Sequence, residues 1–174
     1  MANRRQFIAG LLASGLAPVP TWADAGSPAY LSAARLPDDS YVLTGLDRAG
    51  AERFRIPLPA RGHAAAAHPT QPVAVAFARR PGRFALVLDC RDGAVLARLD
   101  SPEGRHFYGH GSFDASGQYL FTTENDYDAG QGRIGVWDVA AGYARIGEFA
   151  SGGIGPHDMK LLPQGGFVVA NGGI

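Results

Sequence analysis

The chain has 174 residues, 46% of them apolar, with 24 glycines and 12 prolines, which places it in the globular, turn-rich all-β range and outside disordered or collagen-like sequences. Its 16 basic and 16 acidic side chains balance to a formal net charge of zero. That balance leaves no basic footprint for nucleic acid or an anionic membrane.

Residues 1–25 read as a targeting segment, to be set aside before the fold is considered. Asn3 to Ile8 carries Arg4 and Arg5 ahead of a hydrophobic residue, Phe7, two positions on, which is the pattern of a twin-arginine export signal. The apolar region from Phe7 to Val19 is too short to span a bilayer stably, and Ala23-Asp24-Ala25 supplies a small-x-small cleavage site. An ordinary secretory leader or short anchor is the alternative. The expectation is a periplasmic mature protein with no stable membrane anchor after cleavage.

Beyond the leader, short β-rich runs alternate with Gly, Asp and Ser punctuation, and helical periodicity is absent. His63, His110 and His157 recur at spacings of 47 and 47 residues, each after a Gly or Pro and each ahead of an apolar strand. A second marker repeats independently. Leu46-Asp47, Leu88-Asp89 and Trp137-Asp138 each close a strand and lead into Gly50, Gly93 and Gly142, with spacings of 42 and 49. Two markers of nearly equal period point to a β-propeller rather than a sandwich or barrel. The expected units are 30–60, 61–105, 106–155 and an incomplete 156–174. About three blades fall short of the four to eight of a closed ring, and Phe167 to Ile174 ends on a strand without blade partners, so the chain reads as the N-terminal part of a longer protein.

Thr122 to Gly130, Ile134 to Asp138, Gly152 to Asp158 and Val168 to Ile174 resemble the exported bacterial proteins of domain-of-unknown-function family 1513. The resemblance implies a WD40/YVTN-like propeller of seven blades carried to the periplasm by the twin-arginine route. Members of that family are often encoded beside periplasmic iron-uptake components, which links them by gene position and not by mechanism. No activity is established for the family, so it transfers no catalytic residues.

Several strings fail on context. Gly130 to Gly135 matches G-x-G-x-x-G but opens a strand rather than a helix. Asp126 to Gly130 hints at a calcium loop, yet Trp137 stands where the bidentate Glu belongs. Cys90, alone in the sequence and inside an apolar run, reads as a buried structural thiol. No covalent-haem motif or nucleophile elbow is present.

What remains is the rim expected at the channel mouth, where His63, His110 and His157 should share a face with the polar loop carrying Glu124 and Asp126. Imidazoles and carboxylates suit a borderline metal ion as cofactor. The competing reading is structural: in WD-type repeats a Gly-His pair bonds within its own blade and steadies the Trp-Asp strand, and repeated polar residues in propellers are usually scaffold. Three function classes stay open. The first is a periplasmic binding or scaffold propeller, accessory to iron or other metal acquisition, with a protein partner or small ligand at its rim. The others are an exported redox or metal-dependent enzyme and a purely structural interaction domain.

Overall fold

The computed structural model describes residues 28–173. Arg4, Arg5, Ala23 and Ala25 of the expected leader lie outside them. The described residues form thirteen strands and no helix, arranged as four antiparallel sheets.

The first sheet joins β1 (Tyr30–Arg35), β2 (Tyr41–Leu46) and β3 (Glu52–Leu58). The second runs β4 (Gly62–Ala67), β5 (Val73–Ala78), β6 (Phe84–Asp89) and β7 (Val95–Asp100) in sequence order. The third repeats that order with β8 (Arg105–Phe113), β9 (Tyr119–Asp126), β10 (Gln131–Asp138) and β11 (Ala144–Ala150). The fourth pairs β12 (Pro156–Leu161) with β13 (Phe167–Asn171). Each sheet is thus a meander whose order follows the chain.

The repeated Asp-Gly marker has a local cause. Asp47 Oδ1 accepts the backbone N–H of Ala49 and Ala51 at 2.9 Å, Asp89 Oδ1 that of Arg91 at 2.9 Å, and Asp138 Oδ1 that of Ala141 at 3.2 Å. Each side chain closes a tight turn on its own backbone. Gly93, at φ 81°, then takes the left-handed position that lets β6 fold back into β7.

The core lies between sheets. Along β5, Val75 and Phe77 pack toward Phe107, Leu120 and Trp137 of the third sheet, while Ala76 and Ala78 pack toward Leu43 and Leu58 of the first. Alternate residues therefore bury on opposite faces. This explains why Phe84 to Leu88 reads as an unbroken apolar run: every residue of β6 is buried. Burying a Phe or Leu fully contributes about 1.5–3 kcal/mol, and Phe77, Phe107, Leu88 and Leu120 all fall in that class. The fourth sheet is joined to the third by Phe121 against Phe167, ring centroids 4.5 Å apart, and by Gly155 N–H donating to Asn125 Oδ1 at 2.8 Å.

The polar loop expected to carry Glu124 and Asp126 begins beyond both. β9 continues through Asp126 and β10 begins at Gln131, leaving a turn at 127–130 in which Ala129 N–H donates to Asp126 Oδ1 at 3.0 Å. Glu124 and Asp126 are strand residues.

Candidate metal centre

The first strands of three successive sheets, β4, β8 and β12, lie side by side and carry His63, His110 and His157. The three imidazoles meet. Ring centroids are 4.9 Å apart for His63 and His110, 5.3 Å for His110 and His157, and 5.8 Å for His63 and His157. One ligand nitrogen from each lies within 4.8 Å of the others.

The backbone explains the convergence. Pairing register slips between Gly62 and Ala65 in β4, between Phe107 and Gly111 in β8, and between Pro156 and Asp158 in β12. Each histidine therefore sits inside a β-bulge, a device that re-aims a side chain off the regular pleat. At the β8 bulge Gly109 holds φ 98°, and a Cβ there would stand 2.4 Å from His63 Cδ2. Only glycine lets the His63 ring lie against that backbone.

A scaffold role requires ring nitrogens tied inside their own sheets, and neither His110 Nδ1 nor His63 Nε2 is. His110 Nδ1 faces Asp158 Oδ1 at 3.2 Å, across the boundary to the fourth sheet. His63 Nε2 is buried without a hydrogen-bond partner among the described residues. His68 shows the contrasting pattern: its Nε2 meets Gly117 O at 3.2 Å, and its Nδ1 accepts Thr70 and Gln71 N–H at 3.2 and 3.0 Å. Both ring nitrogens of that buried imidazole are satisfied.

Burial is the main force lowering the pKa of His63, helped by the positive fields of His110, Arg79 and His157. Burial also lowers that of His110, with Asp158 pulling the other way. Both imidazoles are therefore neutral near pH 7, the form that binds metal.

Glu124 and Asp126 do not join this group. Period-two alternation turns Thr122 and Glu124 toward Trp137 and Arg145, while Thr123 exchanges hydrogen bonds with the His110 backbone. Glu124 is fully buried and belongs to a separate network: Trp137 Nε1 donates to Thr122 Oγ1, Thr122 Oγ1 to Glu124 Oε1, and Arg145 Nη2 to Glu124 Oε2, each at 2.9 Å. Thr122, Glu124 and Arg145, not a histidine, hold the Trp-Asp strand. Burial raises the pKa of Glu124 against the pull of Arg145, whereas the Arg105 hydrogen bond holds Glu148 at about 2. Asp126 is 3.8 Å from Arg105. Cys90 is fully buried, and burial pushes its thiol up to about 11, so it is inert.

Residues 56–174 match the family model described as Protein of unknown function (DUF1513). The chain belongs to that family. Its fold is similar to that of a solved protein of unknown function from Bacteroides caccae, with a TM-score of 0.54 at 12% sequence identity. The match covers 74% of this chain and 46% of that one, so the chain spans about half the length of that relative. No curated protein is significantly similar in sequence.

Sequence reasoning passed over Asp158, Arg79, Arg80, Tyr108 and Tyr127. Asp158 had a signal, its place directly after His157. The other four, at three separate places along the chain, had none, because only the packing of β5, β8 and the 127–130 turn places them around one cavity.

Proposed function

We propose that this chain is part of an exported β-propeller of the DUF1513 family whose His63, His110 and His157 bind one divalent metal ion. Sheets that each follow chain order, with their first strands adjacent, support the propeller reading. The leader-like segment holding Arg4 and Arg5 supports periplasmic delivery.

The carrying observation is the cluster itself: one ligand nitrogen from each of three histidines within 4.8 Å of the others, with His63 Nε2 buried and unpaired. A tetrahedral site with nitrogens 2.0–2.1 Å from the ion needs them about 3.3 Å apart. The widest pair has to close by at most about 1.5 Å, within the reach of small rotamer shifts on bulged backbone. An all-imidazole set suits zinc, copper, nickel or iron over magnesium or calcium. With Nδ1 engaged by Asp158, His110 has Nε2 left to offer, and the carboxylate orients the ring from behind. The role this serves is that of a periplasmic metal-binding protein, accessory to iron or other metal acquisition. A metal-dependent enzyme is the second reading, favoured by one feature: three protein ligands leave a coordination position open.

Metal-free protein titrated with Co²⁺ or Zn²⁺ should bind one equivalent, with the visible Co²⁺ bands of a low-coordinate nitrogen site. The His63→Ala/His110→Ala/His157→Ala variant should lose that equivalent while keeping its far-ultraviolet β signature. Asp158→Asn should weaken binding by about 10- to 100-fold. Full binding by a folded triple variant would remove the metal reading and return the histidines to scaffold.

A further inference from the structure

Beside the histidines lies a cavity of about 310 Å³, lined by Arg79, Arg80, Tyr108, Tyr127, His157 and the backbone of Gly172 and Gly173. That volume is at the small end of ligand pockets. Its lining carries two guanidinium groups, two phenols and an imidazole, with no carboxylate. Arginines elsewhere in the described residues hold acids, Arg91 on Asp89, Arg98 on Asp100, and Arg105 and Arg145 on Glu148. Among the described residues, no ion pair engages Arg79 or Arg80.

The aromatic residues shape the site. Arg80 is stacked over the Tyr127 ring at 4.9 Å, which fixes its guanidinium plane without neutralising it. Tyr108 stands edge-on to His157, ring centroids 6.3 Å apart, and its hydroxyl donates to Gly173 O at 3.3 Å. Tyr127 Oη is buried without a well-formed hydrogen bond; Arg80 and Tyr108 lie near it but off the geometry of one. A buried hydroxyl without a partner is unfavourable, so it marks a place where an acceptor belongs. The missing complement is a group with negative charge and several acceptor oxygens. Planar guanidinium forks match an oxyanion bidentately.

We propose that this cavity is a recognition pocket for a small molecule bearing an oxyanion, a carboxylate or a phosphate, held by Arg79 and Arg80 with Tyr127 Oη as a further donor. The pocket does not depend on the metal reading, because these groups are complete without an ion. His157 belongs to both sites, so the anion binds next to the metal position.

Calorimetric titration of the protein, stripped of metal on a chelating resin, tests this with citrate, inorganic phosphate and neutral glycerol as probes. One of the two anions should bind, weakening as salt rises, and glycerol should not. Which anion binds distinguishes a carboxylate from a phosphate ligand. Arg79→Gln and Arg80→Gln should each weaken binding about tenfold or more, whereas Arg98→Gln, on the outer strand β7, should not. Tyr127→Phe should weaken the anion while leaving thermal stability of the free protein unchanged or raised, a split that a structural tyrosine does not produce. The proposal is overturned if neither anion binds at millimolar concentration, or if binding is the same in the arginine and tyrosine variants. Cobalt binding by the same samples is read separately, so loss of the metal site leaves this result standing.

Discussion

Removing Glu124 separates two meanings of a buried ion pair. The side chain is fully buried, accepts hydrogen bonds from Thr122 and Arg145 at 2.9 Å each, and occupies space that only Gly135 leaves: a Cβ on Gly135 would stand 2.1 Å from Oε1. In Glu124→Ala, Thr122 and Arg145 lose their shared acceptor and a cavity opens. Breaking a buried pair from one side costs about 3–5 kcal/mol. Arg145 is partly exposed and keeps Glu148 as a partner at 2.8 Å, which puts the expected loss near the lower bound, about 3 kcal/mol. Glu124→Gln should behave differently. Its amide oxygen can accept from Arg145 while its amide N–H donates to Thr122 Oγ1. Burial already disfavours the charge, as the raised pKa shows, so the neutral isostere should cost only about 1 kcal/mol. Urea unfolding followed by Trp fluorescence measures both, and the Ala variant should also melt on the order of 6–12 °C lower. An Ala cost below 0.5 kcal/mol, or a Gln cost equal to the Ala cost, would refute the reasoning.

Three further outcomes are expected. Gly109→Ala places a Cβ at φ 98° and against the His63 ring, so it should destabilise by about 1–3 kcal/mol and weaken cobalt binding more than Gly147→Ala, where an added Cβ meets open space. Stability should fall as pH drops below about 6.5, because His63 and His110 have folded pKa values below that unfolded value and the unfolded chain then binds more protons. Glu148, held at about 2, keeps its contribution down to the carboxylate range, and Glu124, with its raised pKa, acts in the opposite direction, so a loss between pH 6.5 and 4.5 belongs to the histidines; a flat melting profile there would remove this account. Replacing Arg4 and Arg5 by Lys should leave precursor in the cytoplasm, and normal export of that variant would remove the twin-arginine assignment.

The sequence by itself determined the periodic features. Turn chemistry is local: Asp47, Asp89 and Asp138 each bond to backbone N–H groups within four residues, so their recurrence marked hairpins without any tertiary information. The equal spacing of His63, His110 and His157 placed them at matching positions for the same reason, since a repeat puts like residues on like strands. Tertiary structure decided which way side chains point. A strand has two faces, and a polar residue one position away lands on the other one. Glu124 looked like a rim ligand because its neighbours are polar, but β9 extends through it and turns it onto Arg145, while Thr123 and Asn125 face the histidine strands. Nor could spacing show that each histidine sits in a bulge, because a bulge is a mismatch between two strands and leaves no mark in either alone. The cavity between Arg79, Arg80 and Tyr127 was invisible for a similar reason: its walls come from separate sheets and loops, and only packing brings them to one place.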